Sequence, residues 1–473
     1  MTFADLDASS DALARWFVGQ GLKPGDRVAI QWPNAIEVVQ IFFAAFKAGL
    51  IAVPINLRLK PAEIVWVMQN AGAAICFAHP QMADTARTSG VRTLSALPDV
   101  PGPTNGAAAT ATGLSEVPGD AAALILYTSG STGHPKGAVL TQHALEATAE
   151  LCARVVESAG SDLRARGLVM TPLMHSSGIF VLLSSLKRGE PCVMLPSFDA
   201  GAVLDAVARH RCTTTLSLPA MMQFVLAEQA RQPRDVSSMR VIFAGGDAVP
   251  VPLQERTRQM LGCVMVEGLA QTETGPTICN PATQPKLGSL GTANPGVELR
   301  LVDPVTRRDV AVDEPGELLV KSPAVCAGYW QNPEATAAAF DDGWFRTGDL
   351  VSRDADGFYW FRGRLKEIII RGGSNISPQE VEEALYTHPG VLEAAVVGYP
   401  HDVWGEIVIA LVTRRPGSTV SESELREHAR TTIADYKVPE RILFVPEMPK
   451  TATGKVHRRV LRDGLGSLMQ DAG

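Results

Sequence analysis

The chain has 473 residues, a length that predicts two domains, or one large lobe with an appended module, rather than a single ordinary core. Hydrophobic residues make up 46% and charged residues 20%, which is ordinary for a globular protein and excludes a disordered or fibrous chain. The net charge is -7, with both signs mixed along the sequence, so we expect neither nucleic acid nor an anionic membrane as a partner.

The cysteines and the amino-terminal sequence bear on the compartment. The seven cysteines are scattered without a C-x-x-C pair, as is typical of reduced thiols rather than of a disulfide framework or a zinc site. The amino terminus lacks the basic and then apolar layout of a signal peptide. Because Lys47, Gly49 and Pro54 interrupt the apolar run 41–55, no membrane span is predicted. These features predict a cytoplasmic protein.

Short apolar runs bounded by Gly or Pro alternate with helix-length segments through the first 364 residues. This alternation predicts an α/β fold with crossover helices, here a large amino-terminal lobe of layered α/β subdomains. Residues 98–112 are rich in Pro, Gly, Ala and Thr and are predicted to form a surface connection. The predicted strands of the lobe include residues 27–30, 122–127, 241–244 and 264–267.

A new pattern begins after residue 364. It contains a Ser-Pro-x-Glu helix start at residues 377–380 and a Ser-x-x-Glu capping box at residues 421–424. We therefore predict a large domain at residues 1–364 and a small α+β domain at residues 365–473. The predicted strands of the small domain are residues 368–370, 394–397, 407–412 and 442–445.

The loop at residues 127–137, Tyr-Thr-Ser-Gly-Ser-Thr-Gly-His-Pro-Lys-Gly, directly follows a predicted buried strand. Its glycines let backbone N–H groups approach phosphate oxygens, its hydroxyls donate further hydrogen bonds, and its lysine offsets charge on a leaving pyrophosphate. A flexible surface loop is the alternative, but a linker rarely follows a buried strand and ends in Pro-Lys-Gly. The Walker motif is excluded because Pro135 precedes Lys136. The predicted phosphate-binding residues are Thr128, Ser129, Gly130, Ser131, Thr132, Gly133 and Lys136.

Six further motifs follow this loop along the chain. They are residues 172–175 (Pro-Leu-Met-His), 244–247 (Ala-Gly-Gly-Asp), 271–273 (Gln-Thr-Glu), 343–349 (Gly-Trp-Phe-Arg-Thr-Gly-Asp), 363–366 (Gly-Arg-Leu-Lys) and 449–455 (Pro-Lys-Thr-Ala-Thr-Gly-Lys). In type and order the set resembles the adenylate-forming superfamily of acyl-CoA synthetases, adenylation domains and luciferases, and most of all an AMP-forming acyl-CoA synthetase. The resemblance spans nearly the whole chain and implies that the small domain is mobile.

The resemblance implies an ATP-dependent carboxylate–CoA ligase. Such an enzyme forms acyl-AMP and pyrophosphate, and then acyl-CoA and AMP, so Mg²⁺, ATP, coenzyme A and a small-molecule carboxylate are expected. A homodimer is compatible with the resemblance. One alternative stays open: a stand-alone adenylation enzyme that loads the acyl group onto the phosphopantetheine of a carrier protein. No carrier-type segment with a modifiable serine is recognisable, which favours free coenzyme A.

Two other function classes fit the sequence poorly. An ATPase or kinase would need its own phosphate motif and a carboxylate that positions water or activates a hydroxyl, and neither is recognisable. A non-catalytic binding protein with this fold would be expected to lose Lys455 or Glu273, and both are present.

The resemblance assigns the phosphate and metal contacts. Glu273 would supply a carboxylate and Thr128 a further oxygen to Mg²⁺, and Thr272 would offer a hydroxyl to the α-phosphate. Gly246 and Asp247 belong to the expected ATP/AMP-binding residues.

Four more residues complete the expected catalytic apparatus. Asp349 would bind the ribose hydroxyls, and Arg364 would contact the ribose from the lobe boundary. Lys455 would bridge the substrate carboxylate and the α-phosphate, where it stabilises charge in the transition state. In similar enzymes the small domain then rotates about a hinge residue, which corresponds to Lys366.

The same resemblance places His175, Gly268 and Ala270 on the acyl pocket and Gly372 and Gly373 beside the coenzyme A channel. A buried structural histidine and an ordinary strand-to-helix turn are the respective alternatives. No aspartate that would bind an ammonium group follows residues 172–175, so an α-amino acid is a poor substrate.

Two features depart from the family pattern. Leu269-Ala270 replaces a common Tyr-Gly pair, so an aromatic contact to adenine is lost and the methyl of Ala270 narrows the acyl pocket. The family also carries a longer segment before residues 2–6, so the first helices and strand of the lobe are expected to be missing.

Overall fold

The computed structural model describes residues 1–100, 114–128, 135–158, 165–247, 249–450 and 456–471. Across these residues the chain forms four sheets, three in a large amino-terminal domain and one in a smaller carboxy-terminal domain. The predicted α/β class and division into a large and a small domain are confirmed.

The first sheet has the strand order β4-β3-β1-β2-β5-β6 and is parallel except for the β5–β6 pair. Its central strands are buried as continuous apolar runs because helices cover both faces. The strands are β1 (Arg27–Gln31), β2 (Ile51–Pro54), β3 (Ala73–Ala78), β4 (Arg92–Leu94), β5 (Ala122–Thr128) and β6 (Lys136–Thr141), and the helices are α1 (Phe3–Gly19), α2 (Ile36–Lys47), α3 (Pro61–Ala71), α4 (Ala83–Arg87) and α5 (Gln142–Glu157), with a 3₁₀ turn at Pro80–Met82.

The second sheet has the order β13-β12-β11-β10-β9-β7-β8, with β7 to β11 parallel and β12 and β13 antiparallel. Its strands are β7 (Gly167–Val169), β8 (Cys192–Met194), β9 (Thr214–Ser217), β10 (Val241–Ala244), β11 (Val264–Gln271), β12 (Gly275–Cys279) and β13 (Thr292–Ala293), and its helices are α6 (Ser176–Lys187), α7 (Ala200–His210), α8 (Pro219–Arg231) and α9 (Val251–Leu261).

Helices α5 and α6 lie between these two sheets. Leu145 of α5 and Ile179 and Leu182 of α6 are buried in one apolar cluster with residues of the first sheet. Helix α6 also contacts β7, β8 and β9 of the second sheet. Helices α7, α8 and α9 cover the other face of the second sheet through a separate cluster. The helix pair therefore fixes the spacing between the two sheets.

The third sheet is antiparallel, in the order β14-β15-β17-β16 with β18 paired to β17. Its elements are β14 (Glu298–Val302), β15 (Gly316–Lys321), α10 (Pro333–Ala339), β16 (Phe340–Asp341), β17 (Trp344–Arg353) and β18 (Tyr359–Arg364). A 3₁₀ turn at Leu365–Glu367 leads from β18 to the small domain.

The small domain is built on a sheet of order β20-β19-β22-β21, with β23 parallel to β22. Its buried residues form clusters separate from those of the large domain. Its elements are β19 (Ile369–Arg371), β20 (Ser374–Ile376), α11 (Pro378–Tyr386), β21 (Val391–His401), β22 (Gly405–Arg414), α12 (Glu422–Arg430), a 3₁₀ turn at Asp435–Lys437, β23 (Arg441–Phe444) and α13 (Arg458–Asp471).

Several local predictions are confirmed. Strand 241–244 is found with its predicted bounds, and the capping box of Ser421 and Glu424 opens α12. Helix α11 begins at Pro378 as predicted, but the Ser377 side chain makes no capping hydrogen bond. The connection 98–112 falls mainly outside the described residues. Among the described helices, none is both long and apolar enough to cross a membrane.

Candidate active site

A cavity of about 700 Å³ opens where the parallel strands of the two large sheets end. Thr128 at the end of β5, His175 after β7, Gly246 after β10 and Glu273 after β11 all line it. In open α/β sheets ligands bind outside the carboxyl ends of the strands. Predicted residues from distant parts of the sequence therefore meet at one place.

Asp349 and Arg364 meet because they are directly opposite each other in the β17–β18 pair. Arg364 Nε lies 3.2 Å from Asp349 Oδ1, and Gln271 Nε2 donates to Asp349 Oδ2 at 2.7 Å. The Asp349 side chain is only 1% exposed. Burial lowers the pKa of Arg364, but nearby carboxylates, Asp349 foremost, outweigh that effect and raise it. The guanidinium is therefore a permanent cation at the cavity wall.

Glu273 is held by a residue outside the recognised motifs. Tyr329 Oη donates a hydrogen bond to Glu273 Oε1 at 3.0 Å, and burial, reinforced by Glu273, raises the pKa of Tyr329. Lys136 Nζ lies 5.2 Å from the centre of the Tyr329 ring. Backbone hydrogen bonds between residues 326–330 and β6 set this arrangement. Tyr329 therefore contacts both Lys136 of the predicted phosphate loop and Glu273.

The surroundings of Glu273 fit a ligand of a hard cation. Among the described residues, no lysine or arginine pairs with this half-buried carboxylate, and Tyr329 occupies only Oε1. No group of three or more His, Cys, Asp or Glu in the described ranges could hold a metal ion by itself. Mg²⁺ commonly takes one or two protein carboxylates and completes its shell with phosphate oxygens and water.

Among the described residues, Thr128, Gly246 and Thr272 line the same cavity, whereas Asp247 and Asp349 do not. Thr128 Oγ1 donates to the backbone oxygen of Lys136 at 3.3 Å, and Thr272 Oγ1 donates to Ser176 Oγ at 3.4 Å. Gly246 has a φ of +85°, which lets the chain turn sharply after β10. Asp247 does not line the cavity, although its neighbour does.

The three residues predicted for the acyl pocket, His175, Gly268 and Ala270, all line the cavity. His175 precedes α6, and its Nε2 lies 3.5 Å from Asn56 Nδ2. Gly268 and Ala270 lie on β11, where the pairing with β12 shifts register between residues 269 and 270. Helix α6 approaches the preceding turn so closely that a Cβ on Gly178 would lie 2.5 Å from the Pro172 oxygen.

The small domain presents only part of its predicted set to the cavity. Lys366 lines it, whereas Gly372 and Gly373 lie away from it in the turn between β19 and β20. Both glycines have positive φ, and a Cβ on Gly372 would lie 2.8 Å from the Trp404 ring. Six predicted residues lie outside the described ranges: Ser129, Gly130, Ser131, Thr132, Gly133 and Lys455.

Sequence reasoning missed two polar residues of the site. Gln271 lies inside a recognised motif, but nothing in its spacing indicated a bond to Asp349. Tyr329 lies in a Gly-Tyr-Trp segment that carries no chemical signal by itself, because its contact depends on pairing with β6.

Comparison with known proteins now identifies the family. The AMP-binding enzyme model matches residues 1–330, and the AMP-binding enzyme C-terminal domain model matches residues 380–455. The chain belongs to the AMP-binding enzyme family. A feruloyl-CoA synthase from an Amycolatopsis species is 35% identical, covering 98% of this chain and 94% of that protein. The long-chain-fatty-acid–CoA ligase FadD13 of Mycobacterium tuberculosis is 33% identical, covering 98% and 93%.

Among solved structures, ATP-bound MatB from Rhodopseudomonas palustris superposes with a TM-score of 0.86 at 31% identity, covering 98% of this chain and 93% of that one. The apo form of the same enzyme, with the same coverage and identity, gives 0.77. The predicted activity is confirmed: this AMP-binding enzyme is an ATP-dependent carboxylate–CoA ligase of the AMP-forming, acid–thiol type. Transfer to a carrier protein is not favoured.

Proposed function

We propose that the described arrangement performs the first half-reaction, in which a carboxylate oxygen attacks the α-phosphorus of ATP and pyrophosphate leaves. The observation that carries the proposal is the cavity lined by Arg364, Thr272 and Glu273, with the buried Asp349 paired to Arg364. The higher TM-score to ATP-bound MatB than to its apo form supports this assignment.

The ribose contact follows from the Asp349–Arg364 pair. A buried carboxylate accepts hydrogen bonds from two ribose hydroxyls strongly, because its own charge is fixed in place by Arg364 and Gln271. These partners keep the oxygens oriented before the nucleotide arrives, so little ordering is lost on binding.

The phosphate contacts involve the opposite wall. Thr272 directs a hydroxyl toward the α-phosphate, and Glu273 and Thr128 would hold Mg²⁺ there. When bound, the ion offsets phosphate charge as pyrophosphate departs. Tyr329 keeps the Glu273 carboxylate in one orientation, and Lys136 and Lys455 supply positive charge to the phosphates and the attacking carboxylate.

The second half-reaction would need another orientation of the small domain. We propose Lys366, in the 3₁₀ turn after β18, as the hinge, with the domain boundary between residues 364 and 365. Rotation would bring Gly372 and Gly373 to the cavity, where the coenzyme A thiol attacks the acyl carbonyl and AMP leaves. We also predict that the protein is cytoplasmic and forms a homodimer.

The test uses the full chain with MgATP, coenzyme A and a panel of carboxylates. Without coenzyme A, we expect pyrophosphate release when the correct acid is present. Once coenzyme A is added, acyl-CoA and AMP should form in equal amounts. Replacing Mg²⁺ with excess chelator should stop pyrophosphate release. Formation of ADP, or AMP without acyl-CoA at any acid, would contradict the proposal. Glu273→Gln should raise the Mg²⁺ concentration needed for half-maximal pyrophosphate release, whereas Glu255→Gln on the exposed side of α9 should not.

A further inference from the structure

The cavity extends well beyond the nucleotide-binding wall. It continues between the second sheet and the helix pair α5 and α6, in a space that we call the acyl chamber. The chamber is lined by Val155, Val181, Ser184, Glu190, Thr214 and Phe243.

The depth of the acyl chamber can be estimated from two independent elements, helix α6 and strand β9. Ser176 at the catalytic end of α6 and Ser185 near its other end both line the cavity, and nine residues of helix span roughly 13 Å. On the facing sheet, Thr214 at the start of β9 and Leu218 just after its end both line the cavity, and four residues of extended chain also span roughly 13 Å. The chamber is therefore elongated along the strands, with a depth well beyond a single aromatic ring.

The serine hydroxyls deep in the chamber already have protein partners. Ser184 Oγ donates to the Cys152 oxygen at 3.3 Å, and Ser185 Oγ donates to the Val181 oxygen at 3.0 Å. Among the described residues, Glu190 is the one charged side chain in this half of the wall. A second charged group on the substrate would lose its hydration there without gaining a counter-ion.

Glu190 lies beside Ala165 at the end of the chamber away from Ser176. Both of its oxygens accept hydrogen bonds from Arg188, at 2.8 and 2.9 Å, and one also accepts from the Ala165 N–H at 3.1 Å. Arg188 additionally pairs with Glu157 at 2.9 Å. This fork-shaped ion pair is a fixed floor and not a free recognition group.

The entrance of the chamber favours a slender substrate. Ala270 contributes a methyl group there and His175 an imidazole, while Gly268 contributes no side chain. A Cβ on Gly268 would lie 2.8 Å from the Ile278 oxygen, so the wall is closely packed at this point. An entrance flanked by Ala270 and His175, followed by a long space whose serine hydroxyls are already bonded to backbone oxygens, suits an unbranched chain better than a wide ring system.

We propose that the acid substrate is a straight-chain, apolar monocarboxylic acid of medium length, whose tail lies in the acyl chamber and ends near Glu190. The proposal rests on the adenylation site proposed above. It specifies a substrate class in which each added methylene is buried until the tail meets the floor.

A chain-length series tests the proposal. Even-numbered straight acids from butanoate to hexadecanoate are compared with benzoate, phenylacetate and cinnamate in coenzyme A-dependent AMP release. We expect kcat/KM to rise at least tenfold from butanoate to decanoate or dodecanoate and to fall for hexadecanoate. A preference for an aromatic acid, or a flat response to length, would overturn the substrate class. If none of these or other carboxylates released AMP, the ligase function itself would fail.

A pair of variants tests the position of the tail. Val181→Phe places a ring in the chamber, whereas Leu183→Phe adds a similar bulk on the same helix outside the cavity wall. We expect Val181→Phe to lower the ratio of kcat/KM for decanoate to that for butanoate at least tenfold, and Leu183→Phe to leave it within twofold. An unchanged ratio in folded Val181→Phe would place the tail elsewhere and contradict the proposal.

Discussion

The proposed nucleotide-binding side of the cavity and the turn between β19 and β20 differ in the burial and hydrogen bonding of their side chains. On the nucleotide side, Asp349 is nearly inaccessible and bonded to two side chains before any ligand binds. In the turn, Gly373 faces open space, and Ile370 and Trp404 nearby are 56% and 47% exposed. Under the proposed function, this orientation of the small domain serves adenylation, and the groups proposed for thiol transfer lie at the surface.

The largest effect on this contrast is expected from Lys455→Ala. The activation free energy of pyrophosphate release should rise by about 3 kcal/mol or more, because the ammonium acts mainly in the transition state. Thiol transfer from supplied acyl-AMP should persist, and ATP affinity should change much less. Stopped-flow pyrophosphate detection and an acyl-AMP assay measure the two steps. Equal losses in both steps would contradict a role confined to adenylation.

Tyr329→Phe should have the next largest effect, again on adenylation. Removing a hydroxyl that donates to a carboxylate costs about 1.5 kcal/mol, or about tenfold in rate. The Mg²⁺ concentration for half-maximal rate should rise as well. Tyr386→Phe is the matched control, because that hydroxyl bonds to the Ala394 backbone oxygen in the small domain. The assignment would be wrong if the two variants slowed pyrophosphate release equally.

Gly372→Ala should affect the turn between β19 and β20 and therefore the proposed thiol-transfer step. An alanine at φ +55° with its Cβ against Trp404 is strained, at a cost of about 1 kcal/mol, so thiol transfer should slow several-fold. Pyrophosphate release should stay near the normal rate. Gly417→Ala, at φ +82° in open surroundings, controls for backbone strain alone. Loss of adenylation in Gly372→Ala with normal thiol transfer would reverse our assignment of the two regions.

The smallest effect on turnover is expected from Glu267→Gln. Glu267 lies on β11 and does not line the cavity. Glu267 is buried and accepts the Val249 N–H at 3.2 Å, and burial raises its pKa well above the ordinary 4.5. A raised carboxyl pKa favours the folded state below pH 4.5, and this contribution is lost as the pH rises. The amide does not ionise, so the Tm advantage of the variant should grow from pH 5 to pH 9. A Tm difference that stays constant with pH would show that Glu267 titrates normally.

The sequence predicted the elements of the fold better than the contacts between them. Apolar runs between Gly and Pro located β10 to the residue, because burial on both faces leaves a strong local signal. The cap at Ser377 failed in detail, since its hydroxyl lies against Gly363 instead of bonding to the helix. The convergence of Thr128, His175 and Glu273 could be inferred only from the resemblance, because it depends on sheet order.

Other features had no signal in the sequence at all. The Tyr329–Glu273 bond depends on a segment pairing with β6 from nearly two hundred residues away. The depth of the acyl chamber depends on the spacing that α5 and α6 impose between two sheets, which composition and motifs do not encode.

The position of Arg364 as the last residue of β18 has a thermodynamic consequence. A single residue, Leu365, separates Arg364, the proposed ribose contact, from Lys366, the proposed hinge. A nucleotide that fixes Arg364 therefore biases the backbone angles at the junction, and the junction biases nucleotide affinity by the same factor, as reciprocal linkage requires. We therefore expect the affinity for product AMP to differ between the two orientations of the small domain.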